Sequence, residues 1–295
     1  MTQDGNATKS KTLQPRQPTE GSRSRNLSAE RKALSLRAVL PFRSVVRQIL
    51  AIAGGWWVFH FALNRFLVYF SNTYRRMKRD MKLEVLININ ALIASAIICP
   101  MYYISCAKLD TSVASRFEGY SNMCHYALLL HCGQCAYETT TYMFQQKGPE
   151  FYLHHALVLL NYIDVCRTGT MQYFAAKDGI VEGTNVPLCL INLLRMFGRS
   201  SHPLYTVNGV LLWASYIPLR LVNLPMMVYQ WIQDLSTEEG KEKWRKNTTL
   251  AKYTAVPTTI ILWILSCLWM KPITTGVLKA VAPYVNNVRK QLLFR

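Results

Sequence analysis

The sequence predicts an all-α polytopic membrane protein with six to eight membrane segments, and three observations predict it. Only 17% of the 295 residues are charged while 51% are hydrophobic, a balance that leans away from soluble domains. The apolar residues collect in windows of about 20, the length a helix needs to cross a bilayer at 1.5 Å per residue. The basic residues behind the net charge of +18 sit mainly in the first 47 residues, between 75 and 82, and near the C-terminus. Flanks of membrane spans account for that placement more simply than nucleic acid does, so no nucleic-acid partner is expected.

Residues 1–42, which include "SKTLQPRQPTEGSRSRNLSAERK", have no apolar periodicity and are read as a disordered basic arm. They lack the short apolar core and cleavage site of a secretory signal peptide, so the arm is expected to stay on the chain. One polytopic domain is expected over 43–275. Its first span is "QILAIAGGWWVFHFALNRFLVYF" at 48–70, followed by "RRMKRD", and its second is "VLININALIASAIICPMYYISC" at 85–106. The third, "GYSNMCHYALLLHCGQCAYETTTYMF" at 119–144, is the most polar, and the fourth covers about 151–167. "MQYFAAKDGIVEG" at 171–183 and "VPLCLINLLRMFG" at 186–198 are each too short to span alone. They form one broken span or a re-entrant pair, which is tolerated only where protein or a water-filled cavity covers the backbone. Two clear spans follow at 205–231 and about 254–275, and 276–295 is a basic tail. Basic residues on both sides of the first span leave the orientation open. The eight cysteines are scattered through apolar windows and read as reduced thiols.

A titratable side chain near the bilayer centre costs roughly 2.5 to 3.5 kcal/mol on insertion scales, so each must face a cavity or a partner. His125, His131, Glu138, His154, His155, Asp164, Arg167, Asp178, Glu182, Arg195 and Arg220 all fall in or beside apolar segments. Together they imply a polar cavity ringed by helices. Adjacent helical residues point about 100° apart, so His154 and His155 cannot both face one point. One is expected to line the cavity, the other to hydrogen-bond to a neighbouring helix. A neutral imidazole there can act as a general base or take up an acyl group itself, with Glu138 or Glu182 orienting it; interhelical hydrogen bonding alone is the competing reading. Asp164 and Arg167, at i and i+3, read as a structural ion pair. Arg220 can hold a phosphate or carboxylate, or pair with Glu182 or Glu138. Cys124, His131 and Cys135 share a helical face, but their short spacing lacks the loop that closes a tetrahedral zinc site, and no metal is expected.

From about 75 to 275 the order of segments resembles the TLC-domain family, which includes ceramide synthases, translocon-associated membrane proteins and lipid-homeostasis proteins. "MKLEVLININALIAS" is similar to the family's opening segment, with Asn90 where many members have His. "CAYETTTYMF" resembles its Tyr-Asp segment, with Tyr137 retained and Glu138 in place of Asp. "GPEFYLHHALVLL" is similar to its His-His signature, "VEGTNVPLCLINLLRMFG" to its Glu-x-Ser-Thr-Pro segment, and "YTVNGVLLWASYIPLRLVNLP" to its Asn-Gly helix with a later Arg. Ceramide synthases carry His-Asp-x-x-Asp, whose positions here are Val181, Glu182 and Asn185, so a His and an Asp are missing.

The resemblance implies a TLC-type helical barrel, membrane lipids as partners, the endoplasmic reticulum as location, and lipid metabolism or homeostasis as role. In one version it is an acyltransferase of sphingolipid type, with acyl-CoA as co-substrate, no permanently bound cofactor, His154, His155, Glu182 and Glu138 as catalytic candidates, and Arg220, Asn208, Asn185 and Tyr137 as substrate-binding candidates. In the other the same cavity binds a lipid without chemistry. A transporter ranks third because no inverted repeat is visible. Oligomerisation is left open.

Overall fold

The computed structural model describes residues 40–293, with side chains described as far as Ala282. Almost all of the expected basic arm, and the end of the expected tail, lie outside the described residues.

Among the described residues all regular structure is helical. Helix α1, Phe42–Phe70, buries only Val45, Ile49, Ala53 and His60. That spacing is one helical stripe, and the remaining faces expose Leu50, Val58, Phe61 and Tyr69, as suits a helix set in lipid. Arg47 and Arg65 are both exposed, and the helix between them rises about 27 Å, close to the roughly 30 Å of a hydrocarbon core. Ser71 ends α1 and caps the short α2, Asn72–Arg76, by accepting the Tyr74 N–H.

Helix α3, Arg79–Leu109, and a short α4, Val113–Glu118, lead into α5, Asn122–Gln145, which Ser121 caps. Helix α6, Pro149–Thr168, starts on a proline, where the missing N–H is not needed, and stops at Gly169 with φ 68°, a left-handed conformation that glycine adopts without strain. The two short apolar segments form a single unreversed helical run: α7, Gln172–Gly179, a 3-10 stretch at Ile180–Thr184, and α8, Asn185–Met196. Helix α9, Pro203–Tyr216, passes through a π turn at Ile217–Val222 into α10, Asn223–Ser236. Pro218 lies in that turn and cannot supply a backbone N–H. The short α11, Glu238–Arg245, precedes α12, Thr249–Leu293, which continues unbroken past 275, so the expected tail begins inside a helix.

Four of these helical runs are long and apolar enough to cross a membrane: Phe42–Phe70, Arg79–Leu109, Pro203–Ser236 and Thr249–Ala282. The six main helices close a ring in the order α5, α3, α8, α9, α12, α6 and back to α5, each packed on the next. Helix α1 stands outside this ring against α5. Gly133 permits the close approach, because a Cβ there would sit 2.7 Å from the Ile52 Cβ and nearer still to its Cγ2. Gly133→Leu is expected to lower stability by about 2–3 kcal/mol through overpacking, read as the unfolding midpoint in detergent. An unchanged midpoint would mean that α1 does not need this contact.

One end of the ring is sealed by ion pairs and aromatic packing. Arg116 on α4 donates to both carboxylate oxygens of Asp234 on α10, at 2.8 and 2.5 Å, and Lys243 on α11 reaches Glu118 at 2.8 Å. Arg167 pairs with Asp164 at 2.9 Å, which also accepts the Thr248 hydroxyl. Phe117, Phe174, Trp231 and Trp244 pack between these helices.

Candidate functional site

The ring encloses a cavity of about 540 Å³ that all six of its helices line, within the roughly 300–1,000 Å³ of small-ligand sites. It runs inward from the end opposite the sealed one. Lining side chains near the mouth, Glu84 and Lys147, are 30% and 27% exposed, whereas Glu182 and Arg220 at the inner end are 10% and 8% exposed. From Tyr205 to Arg220, both on the wall, the helix descends about 22 Å. Between the polar ends the wall is mostly apolar and aromatic, with Ile87, Tyr142, Phe151, Leu188, Leu212 and Trp269.

Three elements build the inner end. The 3-10 stretch carries Glu182, whose Oε2 accepts the Asn185 side-chain N–H at 2.5 Å. Its Oε1 lies 3.9 Å from Arg220 on the π turn and 3.9 Å from His131 Nε2 on α5. The Arg220 Nε donates to Thr184 Oγ1 at 2.9 Å, and its guanidinium stands 5.4 Å over the Tyr216 ring. The Nδ1 of His131 bonds the Tyr102 hydroxyl at 3.2 Å. A carboxylate and a guanidinium this deeply buried need such company, because an unpaired ion in low dielectric carries a desolvation penalty of several kcal/mol.

The two histidines diverge. His154 lines the cavity, and its buried Nδ1 has no hydrogen-bond partner among the described residues. The His155 ring turns towards α5 and stacks on Tyr142 at 5.2 Å. Its Nδ1 lies 3.0 Å from Thr139 Oγ1. The single Thr139 hydroxyl proton goes to the Cys135 carbonyl, so Nδ1 of His155 must be the donor in this contact. The other nitrogen, Nε2, is 3.3 Å from Glu138 Oε2.

Of the expected site residues, His154, Glu138, Glu182, Asn185 and Arg220 share this cavity, with His155 directly behind it. Two expected substrate-binding residues, Tyr137 and Asn208, stand outside this cavity. Tyr137 is fully buried where α1, α3 and α5 meet; its hydroxyl accepts from Asn90 Nδ2 at 2.6 Å and lies in hydrogen-bond contact with His60 Nδ1 at 2.8 Å. Asn208 donates to the Leu204 carbonyl of its own helix at 2.8 Å. Neither side chain lines the cavity. Tyr137→Phe is accordingly expected to cost about 1–2 kcal/mol in unfolding free energy, since it strands His60 and Asn90, while leaving ligand affinity at the cavity unchanged. A loss of affinity without loss of stability would return Tyr137 to the site.

His131, one of the titratable groups that imply the cavity, stands at the inner end; the residues missed from sequence are Tyr102 and Thr184 beside it and Glu84 and Lys147 at the mouth. His131 and Glu138 are seven positions apart on α5, and that same-face spacing was the available signal. In the cysteine-rich stretch, Cys124 Sγ donates to the Gln172 carbonyl, and among the described residues no group of three or more His, Cys, Asp or Glu is placed to hold a metal ion.

A family model described as the TLC domain matches residues 85–275, well over half of the chain. The match covers at least part of every ring helix and starts beyond α1 and α2. No curated protein and no solved structure matches the chain.

Proposed function

The chain belongs to the TLC-domain family, and from that premise we propose that it transfers an acyl group from acyl-CoA to the amine of a sphingolipid-like long-chain base inside the ring cavity. The observation that carries the reading is His154, a cavity-lining imidazole whose buried nitrogen lacks a protein partner. In the proposed step the amine nitrogen attacks the thioester carbonyl, a C–N bond forms, and His154 takes the N–H proton. The C–S bond then breaks, and the same proton leaves with the thiolate as free CoA. Asn185 and Arg220 supply the donors available to the developing oxyanion, since the Thr184 hydroxyl proton goes to the Val181 carbonyl. The His155–Glu138 pair holds the neighbouring ring and thereby the register of α6 on α5.

The same reading has α5, α6 and the run α7–α8 crossing the membrane with their polar faces turned inward, which brings the count to the expected six to eight segments. Residence in the endoplasmic reticulum follows from analogy with the family. Purified chain given labelled palmitoyl-CoA and a long-chain amine is the test: amide and free CoA in equal amounts support the transfer reading. Ligand binding without amide supports a second one, non-enzymatic lipid binding. One observation favours that second reading: the nearest acid to the histidine pair, Glu138, engages His155 and not His154.

A further inference from the structure

We propose that the mouth of the cavity is a binding site for the phosphate end of an amphipathic ligand, with Lys147 and Arg195 as its cations and Glu84 as the internal group that occupies Lys147 until the ligand arrives. This deepens the cavity reading above by assigning the ligand's polar end, and it stands whether or not chemistry follows.

All three residues line the cavity. Lys147 Nζ lies 3.1 Å from each oxygen of Glu84, and Gln145 Nε2 donates to the same carboxylate at 2.6 Å. Glu84 on α3 is thus cradled by the connection between α5 and α6 much as a bound anion would be. The cradle depends on Gln146, whose φ of 51° is uncommon for a residue with a side chain. Gln145 and Lys147, on either side of it, both reach Glu84. The pair is partly exposed at both partners, and an ion pair of that kind holds weakly. A phosphate, with more charge and more acceptor oxygens, competes well for the same donors.

Arg195 is poised differently. Its one side-chain hydrogen bond among the described residues goes to the neutral Asn192 amide at 3.1 Å, and that amide is itself held by Asn88. No carboxylate pairs with Arg195 among the described residues, nor with Arg75, Arg76, Lys78, Arg79, Lys82 or Arg199 around the same end. At the sealed end Arg116, Arg167, Lys241, Lys243 and Lys246 have acidic partners, while Lys108, Arg245 and Lys252 have none among the described residues. Topology rules explain cations on a membrane face. They do not explain two that line a lipid-sized cavity, one of them already gripping an anion.

The experiment measures apparent affinity from ligand-dependent shifts in unfolding temperature of the full chain in maltoside micelles. The probes are palmitoyl-CoA, 1-palmitoyl lysophosphatidate and the neutral 1-palmitoylglycerol. At least one phosphate-bearing probe is expected to bind about tenfold tighter than palmitoylglycerol, and Lys147→Gln and Arg195→Gln are each expected to remove about five- to tenfold of that preference. Glu84→Gln breaks the same bridge as Lys147→Gln, yet is expected to tighten phosphate binding, so the opposite signs separate lost cation from lost fold. Tight binding of lysophosphatidate identifies a lipid headgroup as the phosphate source; tight binding of palmitoyl-CoA alone identifies the acyl donor. Equal affinity for all three probes, or unchanged preference in both glutamine variants, overturns the proposal. His154→Ala lies away from the mouth and keeps the preference, so the rim and the transfer chemistry fail separately.

Discussion

His154→Ala is expected to lower amide formation by about 100-fold or more, the scale of losing a general base, while the protein still folds and still binds phosphate-bearing ligands. His154 makes no protein hydrogen bond through its buried Nδ1, so its removal strands no partner. His155→Ala is expected to behave otherwise. It removes the contacts to Thr139 and Glu138, leaves a largely buried carboxylate without its imidazole neighbour, and lowers stability together with activity. Lipid profiles of cells expressing wild type and the two variants give the same comparison in the membrane. If neither substitution changes any lipid species while both proteins remain folded and correctly placed, the transfer reading fails and lipid binding is what remains.

The second large effect concerns Arg220. Arg220→Met is expected to lower unfolding free energy by about 3 kcal/mol, because it leaves the Glu182 carboxylate in a buried site with only Asn185 and a distant imidazole beside it. Glu182→Gln with Arg220→Met removes both charges, and the double variant is expected to recover a good part of the loss. A double-mutant cycle should return a coupling of about 1–3 kcal/mol. Additive effects would show that the guanidinium and the carboxylate, 3.9 Å apart, do not act as a pair, and the inner end would then need a different account of how it tolerates an acid.

The helices were legible in the sequence because each rests on a local property. Apolar windows of sufficient length, Pro149 at a helix start and Gly169 at a helix end mark boundaries that neighbouring residues decide. The divergence of His154 and His155 was legible for the same reason, since it follows from the 100° step between adjacent helical residues. The same step sets Tyr137 and Glu138 on different faces. These neighbours both looked like site residues, yet Glu138 faces the cavity and Tyr137 faces Asn90 and His60 on other helices. Periodicity separates two such faces without saying which one meets a cavity.

The mouth was hidden for a related reason. Glu84 and Lys147 are 63 positions apart, and each reads alone as an ordinary charge at a span's edge. By itself the sequence determined that this is a helical membrane protein of the TLC type with titratable groups inside its apolar segments, because length, polarity and segment order are properties of the chain taken in order. Only the tertiary structure decided which of those groups share a cavity, because the six helices close a ring and a ring joins residues by facing position, whatever their separation along the chain.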